Sequence, residues 1–237
     1  RISYAQAEQY QGAVGSLIYL STRSRPELAN PVRELSRFTA SPRKSHRKAL
    51  IHTLRWIANS MDKGIEFHPR HEDEMVLRFW VDASFGDATI HGGSCTGFCG
   101  QLGGPWTWGS TLQKHKVSGS GEAEIDAVHD GALELLWAVG LCKELRLHPK
   151  VIIYQDNTQA EGFLRTGKVS NKTKHISQRY HRSVDLIAVH KWIVERYETD
   201  RMIADVMTKN LSGVKVNTLL PMIRGEADRV SLYGEKK

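Results

Sequence analysis

The short apolar run VIIYQ, at residues 151–155, constrains the fold of this chain most strongly. Such a run is typical of a β-strand that is buried on both faces of its sheet. A strand of this kind needs packed layers on both sides, and the chain of 237 residues is long enough to supply them. We therefore expect an α/β protein with this strand inside the sheet.

The segments around this run supply the other elements of a mixed sheet. Residues 75–85 alternate between two sides, which predicts a strand; Leu77, Phe79 and Val81 lie on one side, and Val76, Arg78, Trp80 and Asp82 lie on the other. The complete order is three strands, a helix, a strand, two helices, a strand and a helix. The other expected ranges are 96–102 and 106–112 for strands, 122–145 for a long helix, a helix from 158, a helix at 176–190, a strand at 192–197 and a helix at 202–209. This order predicts a mixed sheet with helices packed on it.

Residues 1–62 precede the sheet and show helical periodicity. Pro26 suits the first turn of a second helix, whereas Pro31 predicts either a kink or a late start there. A third helix is expected at residues 45–59. The chain therefore begins with a helical segment that differs in character from the strands and helices after residue 62.

Charge and cysteine content narrow the class of protein. The formal net charge of +7 suits a polyanionic partner such as nucleic acid. The three cysteines, Cys95, Cys99 and Cys142, form no disulfide or zinc pattern, so we expect buried, reduced thiols. No apolar run approaches the roughly 18–20 residues of a membrane span, and we expect no membrane partner.

Three aspartates lie at positions where a carboxylate could have a catalytic or metal-binding role. Asp82 lies inside a strand among apolar neighbours, where an ionised group is costly unless it is paired or binds a metal. Asp156 follows the buried strand at its carboxyl end, where the sites of α/β proteins collect. Asp205 falls near the start of a helix, where an acid also complements the helix dipole. Taken alone, each aspartate has a structural explanation that competes with a functional one.

A fourth carboxylate comes from the long helix. Glu122 and Glu124 are two positions apart, so they point about 200° apart around the helix and cannot both face one site. Glu124 is four residues before Val128, on the side of the buried stripe. We therefore expect Glu124 to face inward and Glu122 to be exposed.

Four carboxylates can together bind two divalent cations. Magnesium prefers oxygen ligands, and a pair of ions about 3.5–4 Å apart can activate water and stabilise the leaving oxygen of a phosphodiester. The spacing of Asp82, Glu124, Asp156 and Asp205 along the chain permits such a site but does not prove it.

Five motifs carry a family resemblance in their order along the chain. They are VDASFGD (81–87), SGSGEAEIDAV (118–128), YQDNTQA (154–160), TKHISQRYH (173–181) and IADVMTK (203–209). This order resembles the ribonuclease H domain of copia-type LTR retrotransposon Pol polyproteins. Upstream, VGSLIYLSTRSRPELANPVRELSRF (14–38) is similar to the segment that connects reverse transcriptase to that domain.

The resemblance implies a fold, an activity and a set of ligands. The fold would be ribonuclease H-like, a five-stranded mixed sheet flanked by helices and preceded by a helical segment. The activity would be hydrolysis of the RNA strand of RNA–DNA hybrids during reverse transcription, with two Mg²⁺ or Mn²⁺ ions. The family's metal ligands fall on Asp82, Glu124, Asp156 and Asp205.

The resemblance also implies a domain plan and partners. Residues 1–62 would be the connection or tether segment, 63–212 the ribonuclease H domain and 213–237 a C-terminal tail. The partners would be the hybrid and the polymerase domain of the same polyprotein. The place of action would be the cytoplasmic retroelement particle or the nucleus.

Polar and basic residues near the motifs are candidates for hybrid contacts, since RNA is selected through its 2′-hydroxyls and groove shape. They are Ser84, Asn157, Gln159, Lys114, Lys116, Lys168, Lys172, Lys174, Arg179 and Arg182. His175 and His181 match positions typical of the copia branch, without a role that their chemistry defines. Residues 198–204 lack the histidine that some cellular relatives carry there, so proton transfer would fall to water or another group.

Two alternatives stay open from the sequence. The chain can be a non-catalytic nucleic-acid-binding or tether module of a Pol polyprotein. It can also be another metal nuclease of the same fold, such as an integrase or a junction resolvase, which acts on a different substrate.

Overall fold

A computed structural model describes residues 2–68, 75–88, 93–114, 117, 119–167 and 178–226, with the backbone alone at 87–88 and 178–180. Its strands are β1 (Val76–Ala88), β2 (Gly93–Gln101), β3 (Pro105–Leu112), β4 (Lys150–Gln155) and β5 (Ile193–Arg196). Its α-helices are α1 (Tyr4–Arg23), α2 (Ala29–Ser36), α3 (Lys44–Ala58), α4 (Ser120–Glu144), α5 (Thr158–Thr166), α6 (Gln178–Val189), α7 (Asp205–Thr208) and α8 (Gly213–Arg224).

The five strands form one mixed sheet in the order β3-β2-β1-β4-β5. The pairs β1–β2 and β2–β3 are antiparallel, whereas β1–β4 and β4–β5 are parallel. The expected mixed sheet flanked by helices is thus confirmed. Strand β4 lies between two neighbours, and Val151, Ile152 and Ile153 are buried, as the apolar run predicts.

Helix α4 packs on one face of the sheet and forms the larger core. Phe79 and Val81 of β1, Ile153 of β4, and Val128 and Leu135 of α4 are all buried in one apolar cluster. The alternation of β1 places its next side chains against a second cluster on the other face. The sheet is therefore covered on both faces.

The second face is covered by the C-terminal elements. Trp80 and Cys99 of the sheet pack with Met207 of α7 and with Leu219 and Ile223 of α8. Residues 213–237 are a C-terminal tail in the expected domain plan; within them, Gly213–Arg224 forms a helix whose apolar side is buried. Its 3.6-residue pattern is short and contains Pro221, which weakens the sequence signal for a packed helix.

The N-terminal segment has a core of its own and also rests on the sheet. Tyr10, Val14 and Leu17 of α1 pack with Val32 and Leu35 of α2. A 3₁₀ turn (Pro26–Leu28) precedes α2 (Ala29–Ser36), so the late start predicted from Pro31 is confirmed.

Polar contacts join this segment to the rest of the molecule. The indole N–H of Trp108 donates to the carbonyl of Ser21. Arg33 Nε donates to Ser110 Oγ at 2.9 Å, and Asn30 donates to the carbonyl of Lys209 at 3.0 Å. The segment therefore packs directly on the edge strand and on the residue after α7.

The state of the cysteines and the absence of a membrane-spanning run were both expected from the sequence. Cys95, Cys99 and Cys142 are free, buried thiols, as expected. Within the described part of the chain, no helix combines the length and apolar character needed to cross a membrane.

Candidate active site

Asp82 lies in the middle of the sheet and is completely buried. Strand β1 pairs with β4 only from Val76 to Trp80, so the two parallel strands separate just before Asp82. Beyond that point the β1 backbone has a partner on one side only, since Asp82 still lies opposite Gly97 of β2. The separation of β1 and β4 opens a space in which side chains can approach the backbone of β1.

Glu124 of α4 fills that space. Its Oε2 accepts a hydrogen bond from the backbone N–H of Ala83 at 3.0 Å and another from Gln155 Nε2 at 3.2 Å. Glu124 is buried, which confirms that it faces inward. Glu122 is half-buried and is not without interactions, so the prediction that it is simply exposed is wrong. The first turns of α4 are enclosed on most sides, and a single buried stripe describes them poorly.

Gln155 is a positioning residue that sequence reasoning missed. It ends β4 and is completely buried. Its Nε2 donates to Glu124, and its Oε1 accepts from the backbone N–H groups of Asp156, at 2.8 Å, and Asn157, at 3.0 Å. One amide thereby sets the distance between the helix carboxylate and the end of β4. Its only sequence signal is a polar residue at the end of an apolar run.

Three of the four predicted acids come together. Asp82, Glu124 and Asp156 each offer a carboxylate oxygen, and these oxygens lie within 4.8 Å of one another. Asp82 and Glu124 are buried and Asp156 is half-buried, so the cluster opens to solvent on the Asp156 side. We refer to these three residues as the acid cluster.

Burial dominates the electrostatics of the acid cluster. Desolvation raises the pKa of Asp82 to about 7, although the ammonium group of Lys209 works against that shift. Desolvation, followed by the charges of Asp82 and Asp156, raises the pKa of Glu124 well above its usual range. Carboxylates forced together in this way gain most from a bound cation, which stabilises their ionised forms.

Asp205 lies beside the acid cluster but reaches it through a lysine. Its Oδ1 is 2.6 Å from Lys209 Nζ, and the same Nζ is 3.1 Å from Asp82 Oδ1. Its Oδ2 is 2.9 Å from Lys215 Nζ of α8. Asp205 is therefore adjacent to the site that the sequence predicts, and its oxygens are held by two ammonium groups.

The lysine between the two aspartates is held firmly as a cation. Burial acts to lower the pKa of Lys209, but the carboxylates of Asp82 and Asp205 outweigh burial and raise it. Thr208, the residue before it, donates its hydroxyl hydrogen bond to Asp82 Oδ2. Both oxygens of Asp82 thus have partners from the segment just after Asp205.

The other predicted contact residues fall into three groups. Ser84 is buried, whereas Asn157 caps α5 by accepting from the N–H groups of Gln159 and Ala160. The side chains of Gln159, Lys114 and Arg182 are exposed. Lys116, Lys168, Lys172, Lys174 and His175 lie outside the described residues, as does the side chain of Arg179. His181 is exposed and its ring packs edge-on against Phe163, with centroids 5.7 Å apart.

The chemistry of the acid cluster fits divalent cations. Its three donors are carboxylate oxygens, the ligand type that Mg²⁺ and Mn²⁺ prefer, and one side is open to solvent. Buried carboxylates of this kind are costly without a compensating charge. The acid cluster lies where the central parallel pair of the mixed five-stranded sheet separates.

Sequence comparison finds the same class of protein that the motifs resemble. It is 30% identical over 202 residues to the retrovirus-related Pol polyprotein from transposon TNT 1-94 of Nicotiana tabacum, with 84% of this chain and 15% of the relative covered. It is 34% identical over 210 residues to the corresponding polyprotein from transposon RE2 of Arabidopsis thaliana, with 87% and 14% covered. The chain is a homologue of these polyproteins of plant copia-type transposons, which confirms the resemblance.

The remaining comparisons add little to this relationship. The chain spans only 14–15% of the length of these two curated relatives. No protein-family model matches it. Among solved structures it is similar to LC11-RNase H1, isolated from compost, with a TM-score of 0.45 and 10% identity over 62% of this chain and 98% of that chain.

Proposed function

We propose that this chain is the ribonuclease H domain of a retroelement Pol polyprotein and cleaves the RNA strand of RNA–DNA hybrids. The observation that carries the proposal is the acid cluster, in which Asp82, Glu124 and Asp156 converge at the end of the β1–β4 pair. The homology to Pol polyproteins supports the same activity.

The residues of the site have distinct roles in the proposed mechanism. Asp82 and Asp156 present oxygens from the two separating strands, and Glu124 presents one from α4. Glu124 would also contact the RNA 2′-hydroxyl region. Asp205 supplies the fourth carboxylate. Two bound Mg²⁺ or Mn²⁺ ions would supply a hydroxide nucleophile and stabilise the leaving oxygen. Gln155 keeps Glu124 and Asp156 at a fixed separation.

Selection of the RNA strand would rely on shape and on the 2′-hydroxyl groups. The half-buried side of the acid cluster is next to Asn157 and Gln159, which offer amide groups at the start of α5. The exposed cations Lys114 and Arg182 are candidates for phosphate contacts, and each such contact should add to the salt dependence of binding.

The proposal is tested with the Asp156→Asn variant of the full chain. Asp156 is half-buried, so the amide should leave the fold intact while removing one cluster ligand. We expect cleavage of a labelled hybrid in Mg²⁺ to fall more than about 100-fold, since even indirect supports of a metal site contribute 10–100-fold. Glu161→Gln, on the next helix, is the control for loss of a carboxylate charge, because Glu161 lies outside the acid cluster and pairs with Arg165 at 3.2 Å.

The same assay distinguishes the alternative functions. Hybrid, duplex DNA and branched DNA are offered side by side at equal concentration. Selective cutting of the RNA strand supports a ribonuclease H. Preference for duplex or branched DNA would support an integrase or resolvase activity, and metal-independent binding without cutting would support a tether module. Cleavage by Asp156→Asn at the wild-type rate would refute the proposed site.

A further inference from the structure

Lys209 is the cation that joins the fourth aspartate to the acid cluster. Its Nζ lies 3.1 Å from Asp82 Oδ1 and 2.6 Å from Asp205 Oδ1, so one ammonium bridges two carboxylates. The side chains of Asp82 and Asp205 are 1% and 2% exposed, respectively, so both carboxylates of the bridge are shielded from water. A bridging ammonium in this position supplies part of the positive charge that a divalent cation between the same oxygens would supply.

The bridge leaves few oxygens free for a second metal ion. Asp205 has one oxygen on Lys209 and the other on Lys215. Asp82 has one oxygen on Lys209 and accepts from Thr208 at the other. By contrast, Asp156 shares in the acid cluster without any lysine contact among the described ion pairs. The two sides of the proposed site therefore differ: Asp156 contacts neither lysine among the described ion pairs, whereas the Asp82–Asp205 side already holds an ammonium group.

We propose that Lys209 occupies the position of the second divalent ion and must move away before that ion binds. The inference rests on the proposed function and deepens it. The first ion would enter the acid cluster of Asp82, Glu124 and Asp156. The second would bind between Asp82 and Asp205 only as the ammonium leaves. Lys209 is thus a positioning residue that makes metal loading stepwise and keeps the metal-free site neutralised.

The side chain of Lys209 can leave the two aspartates and turn towards solvent. Its side chain is 34% exposed, although the carboxylates that it bridges are buried. A lysine stem is flexible and its ammonium gains hydration when it turns to solvent. The backbone of Lys209 is anchored separately, because its carbonyl accepts from Asn30 at 3.0 Å. The side chain can therefore swing while the main chain stays in place.

Lys215 provides a matched control for charge. It contacts Asp205 at 2.9 Å from α8 and, among the described ion pairs, does not contact Asp82. Removing Lys215 deletes one positive charge but leaves the bridge intact. Removing Lys209 deletes the same charge together with the bridge. The difference between the two variants isolates the effect of the bridge.

The experiment is a titration with Mn²⁺ alone, measured by calorimetry, of the full chain and its Lys209→Met, Lys209→Arg and Lys215→Met variants. We expect the wild type to bind one ion tightly and a second at least about tenfold more weakly, which corresponds to about 1.4 kcal/mol. In Lys209→Met the ratio between the two dissociation constants should shrink at least about tenfold. Lys209→Arg and Lys215→Met should keep a wild-type ratio.

A second measurement does not depend on whether a variant folds. Crystals of the wild-type protein are soaked in rising concentrations of Mn²⁺. The first anomalous peak is expected within the acid cluster, and a second peak between Asp82 and Asp205 is expected only with Lys209 Nζ displaced. A second peak with the ammonium still on both aspartates would overturn the inference, as would an unchanged ratio in a folded Lys209→Met protein.

These outcomes separate the inference from the proposed function. Absence of any ion in the acid cluster of the wild-type protein would refute the proposed function itself. An ion in the acid cluster, with a second ion that ignores Lys209, would refute the stepwise loading alone.

Discussion

Glu124 Oε2 accepts a hydrogen bond from the backbone N–H of Ala83 at 3.0 Å, immediately after Asp82 in β1. A side chain from a helix thus takes the place of a strand partner where β1 and β4 have separated. The same oxygen belongs to a carboxylate in the acid cluster. One interaction therefore both satisfies a backbone N–H of the sheet and orients a proposed metal ligand. A substitution at Glu124 tests these two roles together.

Glu124→Gln is expected to separate stability from activity. The amide oxygen can still accept from Ala83, but the buried negative charge is gone. In metal-free buffer at pH 8 we expect a higher melting temperature, by roughly 2–4 °C for each kcal/mol gained in a protein of this size. Hybrid cleavage should fall more than about 100-fold, because a ligand matters more than the outer contacts that contribute 10–100-fold.

Glu122→Gln is the control for this substitution, since it lies two residues earlier on the same helix and outside the acid cluster. Its cleavage rate should stay within about threefold of the wild type, a change of less than about 0.7 kcal/mol, because the acid cluster consists of Asp82, Glu124 and Asp156. Equal loss of activity in both variants would contradict the assignment of Glu124.

The stability of the metal-free protein should fall as pH rises. Burial raises the pKa of Asp82 to about 7 and the pKa of Glu124 well above its usual range. The folded state therefore binds more protons than the unfolded chain between about pH 4 and pH 7. The contribution of these two protonated carboxyls to the free energy of unfolding is complete below about pH 4 and is lost as pH rises through 7. Each unit by which a pKa is raised corresponds to about 1.4 kcal/mol of this contribution.

Urea denaturation at pH 5, 6, 7 and 8, in the presence of a chelator, measures this effect. Saturating Mg²⁺ should flatten the decline, because a bound cation stabilises the ionised carboxylates. Asp82→Asn should also flatten it, since the titrating group is absent. A free energy of unfolding that rises from pH 5 to pH 8 without metal would contradict the raised pKa values.

Gly97→Ala is expected to disturb the segment that carries Asp205. Gly97 lies opposite Asp82 in the β1–β2 pair. A Cβ there would lie 2.5 Å from Thr208 Cγ2, 2.8 Å from Met207 Cβ and 3.0 Å from the carbonyl oxygen of Ala204. Two of these neighbours are close to the backbone and cannot easily move. We expect a loss of about 1–3 kcal/mol in urea denaturation, as for other overpacked cores, together with slower cleavage.

Gly140→Ala tests the same substitution where space is available, because a Cβ at Gly140 in α4 would meet nothing within 4 Å. This variant should be as stable as the wild type or more stable, by about 0.5–1 kcal/mol, because alanine is favoured over glycine inside a helix. Equal destabilisation by both substitutions would show that the close approach at Gly97 is not the cause.

Glu27→Ala is expected to loosen the N-terminal segment. Glu27 Oε1 lies 2.7 Å from both Arg25 Nε and Arg224 Nη2, and all three residues are buried. This ion-pair group joins the turn before α2 to the end of α8. Removing the carboxylate leaves two buried guanidinium groups without it, a change that typically costs about 3–5 kcal/mol.

Glu34→Ala is the matched control, because Glu34 also contacts two arginines, Arg33 and Arg37, but its side chain is 29% exposed. Its loss should cost about 1 kcal/mol or less. Urea denaturation measures both variants, and limited proteolysis locates the loosened region. Similar losses of unfolding free energy for the two substitutions would contradict the role of the buried ion-pair group in holding the N-terminal segment to α8.

The sequence predicted the elements whose signals are local. The alternation of residues 75–85, the apolar run at 151–155 and the proline at Pro31 each act within a few residues, and the structure agrees with all three. Glu124 was also chosen correctly from helix geometry. The description of Glu122 failed because the start of α4 is enclosed by more than one neighbour, which a single helix face does not reveal.

The sequence by itself determined the order of strands and helices up to α7 and the identity of the candidate acids, because periodicity and chemical type are properties of the chain. Only the tertiary structure decided which acids meet. Gln155 of β4 contacts Glu124 of α4, Lys209 after α7 contacts Asp82 of β1, and Lys215 of α8 contacts Asp205 of α7. Such contacts join residues far apart in the chain, and no local pattern encodes a distance across the sheet.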